Sequence, residues 1–92
     1  MKNYIRNIVQ KAVMDAYSNR ILCIMVMIDK YGQNIKVHLI ANDDEIDEYY
    51  DNFAVLHGYK SWIIQLSGNL LDREEEIEGL SQSIYKYIYG NK

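Results

Sequence analysis

Residues 21–28 read Ile21-Leu22-Cys23-Ile24-Met25-Val26-Met27-Ile28, eight apolar residues without a break. The run is too short for a membrane span and lies too far from the N-terminus for a signal h-region. Its length, its β-branched content and the turn that follows it favour a strand covered on both faces. Downstream, Asp29-Lys30-Tyr31-Gly32-Gln33-Asn34 carries a glycine and an asparagine between apolar runs and reads as a hairpin loop. The return strand, Ile35 to Ala41, alternates. Ile35, Val37, Leu39 and Ala41 fall on one side, with Lys36, His38 and Ile40 on the other, as on a strand nearer an edge.

Upstream, Ile5, Ile8, Val9, Ala12, Val13 and Ala16 recur at three- and four-residue spacing, which predicts a helix over Lys2 to Tyr17 with one core-facing stripe. Ser18-Asn19-Arg20 breaks it. Beyond the hairpin, Asn42 is a capping residue, and Glu45 stands three positions on, placed to reach back. A second helix follows with Ile46, Tyr49, Tyr50, Phe53, Ala54 and Leu56 or His57 inward, and Gly58 suits its left-handed end. Tyr59 to Leu66 reads as a third strand, and Ser67-Gly68-Asn69 closes it. Leu70 to Tyr89 is a third helix with Leu70, Ile77, Leu80, Ser81, Ile84 and Tyr87 or Ile88 on one face.

The fold class is therefore α+β, with chain order α-β-β-α-β-α: three helices and a small three-stranded mixed sheet of order 2-1-3. The hairpin makes strands one and two antiparallel, and the helix before strand three permits a crossover that leaves strands two and three running the same way. The apolar strand then belongs in the middle. Either helices cover both faces of the sheet, or a second copy of the chain covers one. With 92 residues, 49% of them hydrophobic and none proline, one compact domain over residues 1–92 is the expectation. A lone cysteine, Cys23, excludes an internal disulfide, and a cytoplasmic location is expected.

Chemistry-bearing groups are sparse, so no enzymatic activity, metal or cofactor is expected. The two histidines, His38 and His57, stand at no zinc-binding spacing, and the glycines form no phosphate-cradling loop. A Cys23–His38 pair across the hairpin is the one nucleophile that can be drawn. Its thiol lies in the most apolar stretch of the chain, which disfavours the thiolate.

Charge is polarised instead. Residues 1–36 hold six basic and two acidic groups, net +4, and residues 37–92 hold four basic and eleven acidic, net −7. The acids concentrate at two helix starts. Asp43, Asp44, Glu45, Asp47, Glu48 and Asp51 surround Tyr49-Tyr50, and Glu74, Glu75 and Glu78 lie in a second run. Acids in a first turn favour the helix dipole, and a charged face is the default for solvent-exposed positions. Asp47, Glu48 and Asp51, however, lie past the first turn and repel their neighbours, so the segment holds more like charge than capping needs. Asp47-Glu48-Tyr49-Tyr50-Asp51 is similar in character to the recognition helices of DNase-colicin immunity proteins, which set paired tyrosines and carboxylates against a basic nuclease. The likeness is one of surface chemistry, since those proteins are all-helical bundles.

The sequence thus points to a non-catalytic inhibitor or immunity-type protein. It would dock on a basic, nucleic-acid-processing partner through Asp43, Asp44, Glu45, Asp47, Glu48, Tyr50 and Asp51, extended by Glu74, Glu75 and Glu78. A nucleic-acid mimic such as a phage anti-defence protein is one form of this. The alternative is a small structural or regulatory homo-oligomer, a homodimer for example, joined by tyrosines and strand edges. Direct nucleic-acid binding through Lys2, Arg6 and Lys11 is disfavoured by the acidic remainder.

Overall fold

The central apolar run becomes β1 (Cys23–Ile28), and it pairs on both edges, with β2 (Ile35–Leu39) and with β3 (Lys60–Gln65). The computed structural model of the chain describes residues 2–49 and 54–90, excepting the side chains of Lys2 and Tyr49. Helix α1 (Lys2–Ser18) precedes the hairpin, α2 (Asp44–Tyr49) follows it, and a single 3-10 turn at Leu70–Asp72 leads into α3 (Arg73–Tyr89). Sheet order is β2-β1-β3.

The sequence led us to a mixed sheet, and on this point the structure corrects it: both ladders are antiparallel. The strand directions are as read. Two strands running the same way, separated by a third running against them, give two antiparallel pairs and no parallel one.

The pleat divides the core in two. Ile24, Val26 and Ile28 point to one face, where Ile5, Val9, Val13 and Ala16 of α1 and Ile77 and Ile84 of α3 are packed with them out of water. Each large side chain so buried contributes about 1.5–3 kcal/mol, which makes this face the main source of stability. Met25 and Met27 point the other way, into a smaller cluster with Ile40 and Ala54, flanked by Cys23, Ile46 and Tyr59. Ile46 of α2 and Ala54 of the helical residues 54–57 pack on that face, so helical segments contribute on both sides of the sheet.

Two connections are fixed by local chemistry. Asp29, itself buried, accepts from the backbone N–H of Tyr31 (3.2 Å) and Gln33 (2.8 Å) and from the Asn34 side chain (2.6 Å), locking the hairpin loop. Gly32 in that loop has φ +70°, and a Cβ there would come within 3.1 Å of Ile88, so the loop rests directly on the end of α3. Residues 54–57 are helical and end at Gly58, with φ +73°. The Tyr59 N–H bonds back to the Ala54 carbonyl and the Gly58 N–H to that of Val55, the paired bonds of a glycine-terminated helix.

Candidate functional site

The start of α2 is built by its own side chains. The Glu45 carboxylate turns back to accept from the Ala41 N–H (3.1 Å) and the Asn42 side-chain amide (3.4 Å). It is half-buried and serves the cap, so it is withdrawn from the surface set. Asp43, Asp44, Asp47 and Glu48 are exposed. Among the described residues the ion pairs are Arg6–Glu74, Arg6–Glu78 and Lys11–Asp15, and none of them engages these four acids. Asp44 lies three and four positions before Asp47 and Glu48, a spacing that sets the three carboxylates on one helical flank about 5–6 Å apart at Cβ. Tyr50 and Asp51 lie outside the described residues.

The second acidic run does not extend this patch. It belongs to α3, across the sheet from α2, and two of its members are engaged. Arg6 reaches Glu78 at 2.5 Å and Glu74 at 3.2 Å, tying α1 to α3. Glu75 remains exposed. Glu76, which sequence reasoning passed over, accepts from the Tyr17 hydroxyl at 2.5 Å and from the Ser67 N–H at 2.7 Å. The Gly68 N–H donates in turn to that hydroxyl at 3.2 Å, so one carboxylate clasps α1, the β3–α3 loop and α3. Nothing local in sequence signals this, because Tyr17 and Glu76 are 59 positions apart.

The Cys23–His38 pair is not poised as a nucleophile. Cys23 and His38 share a sheet face, but burial raises the Cys23 thiol pKa above its usual value and the Asp43 charge adds to that, so the nucleophilic thiolate is disfavoured. Burial, and then the Lys36 charge, hold His38 below the usual imidazole range. Among the described residues no group of three or more His, Cys, Asp or Glu is placed to hold a metal ion, and no helix is long and apolar enough to cross a membrane. A groove of about 430 Å³ runs between β3 and α3, walled by Trp62, Ile64, Leu66, Leu80 and Ile84. The one carboxylate on its rim is Glu76, already engaged by Tyr17 and Ser67.

Compared with known proteins, the chain matches no family model, no curated protein and no solved structure.

Proposed function

We propose that the chain is a non-catalytic inhibitor or immunity-type protein that docks on a basic, nucleic-acid-processing partner through α2. The observation that carries this reading is the exposed set Asp43, Asp44, Asp47 and Glu48, unmatched by any ion pair among the described residues. Elsewhere the same chain puts its acids to structural use, at Glu45, Glu74, Glu76 and Glu78. A concentrated negative patch steers a cationic surface into contact and accelerates encounter at low salt. Carboxylates repeated along a helix flank also suit a surface evolved to hold phosphates, which is how a nucleic-acid mimic would act.

The test compares the chain with an Asp44→Asn, Asp47→Asn, Glu48→Gln triple variant, each immobilised and exposed to extract of the native host. A basic nucleic-acid-binding or nucleic-acid-cleaving protein should be retained by the parent chain at low salt. It should be lost at high salt and associate on the order of tenfold more slowly with the variant. Adding the parent chain should suppress the captured protein's action on nucleic acid. Equal retention by parent and variant, or a captured protein whose activity is unchanged, overturns the reading.

A further inference from the structure

The open edge of the sheet carries a second inference, independent of the acidic patch. In the β1–β3 ladder the Leu66 N–H bonds to the Leu22 carbonyl, so by alternation Lys60, Trp62 and Ile64 direct their backbone groups toward β1. Ser61, Ile63 and Gln65 direct theirs outward, and no hydrogen bond among the described residues reaches them. Strand edges are ordinarily protected by charge, proline, a bulge or a covering element. The outward residues of β3 are uncharged, its register is unbroken, and the chain has no proline. Ile63, at the centre, is 45% exposed. The opposite edge differs, since β2 lies beside the Lys11–Asp15 pair of α1.

We infer that two copies of the chain pair antiparallel through β3 about a two-fold axis at Ile63, forming one six-stranded sheet. The outward groups are symmetric about that residue. Ser61 falls opposite Gln65 of the second copy and Ile63 opposite its own counterpart, so every outward N–H and C=O finds a partner. On the face toward α3, Trp62 falls opposite Ile64 of the second copy, an aromatic and β-branched pairing that stabilises adjacent strands. The charges are compatible as well: Lys60, the only charged residue of β3, falls opposite Leu66 rather than another cation. Six-residue strands alone fall short of the roughly 800 Å² per partner of a standard interface. The apolar grooves beside them face one another across the axis and supply further contact from Trp62, Leu80 and the open helix surface at Gly79.

Sedimentation equilibrium from micromolar to hundreds of micromolar should show a dimer, and Ile63→Lys, which sets two cations face to face, should return it to monomer with its far-UV circular dichroism unchanged. Ile63→Cys should form an interchain disulfide under mild oxidation, mapped to residue 63 on both chains, since directly opposed residues of a hydrogen-bonded pair lie about 5.5 Å apart at Cα. Ser61→Cys should not link to its own counterpart, which lies four positions out of register. A parent chain that stays monomeric throughout overturns the inference, whatever peptide β3 may bind. So does a dimer that persists in Ile63→Lys or links through 61 in preference to 63.

Discussion

Arg20 holds the left-handed conformation at φ 58°, the one non-glycine residue among those described to do so. It ends α1 with the same paired bonds that Gly58 makes later: the Ile21 N–H returns to the Ala16 carbonyl and the Arg20 N–H to that of Tyr17. A side chain at such an angle costs roughly 1–2 kcal/mol relative to glycine. Arg20→Gly should therefore raise stability, by up to about 1 kcal/mol once glycine's greater unfolded-state freedom is offset, read as a higher denaturant midpoint at unchanged slope. The sequence marked a break at Ser18-Asn19-Arg20 without showing which residue would take the strained angle, because the choice depends on where α1 must stop for β1 to enter the sheet.

Two titrations act at the same scale and in the same direction. His38 is depressed by burial and by Lys36, so the fold resists its protonation. Burial pushes the Asp29 carboxyl up, but bonds from Gln33, Asn34 and Tyr31 outweigh it and hold the group below its usual range. A group whose folded pKa is depressed lends stability that is complete above its unfolded value and lost as pH falls through the folded one. Denaturant midpoints should thus decline in two steps, one below about pH 6.5 and one below about 3.9. His38→Gln should abolish the first and leave the second.

At the scale of elements, most of the architecture was legible. Unbroken apolar character placed β1 in the centre, three- and four-residue spacing gave α1 its buried face, and Gly58 ended its helical segment as expected of glycine. Position along the chain decided these features, so sequence alone carried them. The start of the third helix was less legible: Leu70, expected on the inward face, lies in the 3-10 turn and is exposed, because Asn69 caps that turn through the Leu71 N–H ahead of the helix proper. The acidic site was legible only in part. Local rules foresaw that Glu45 would reach back to a cap, whereas the loss of Glu74 and Glu78 to Arg6 depended on α1 lying alongside α3.

For the whole molecule, the two faces of the sheet are unequally defended. Among the described residues, one carries two long helices and the larger cluster, and the other rests Met25, Met27 and Cys23 in a smaller cluster that includes Ile46 of α2. A cluster with fewer buried apolar side chains gives its cover fewer contacts to hold it, and such a region opens locally at lower cost than the whole fold. Thioethers are chemically vulnerable wherever peroxide can reach them, and oxidation makes them polar. Met14, 37% exposed on α1, should be converted to sulfoxide at once, giving an internal clock. Met25 and Met27 should follow far more slowly, yet sooner than the rate of complete unfolding allows, as peptide mass analysis of timed samples would reveal. Once oxidised they cannot settle back into an apolar layer, so the methionine-lined side of the sheet would age irreversibly while the opposite side stayed intact.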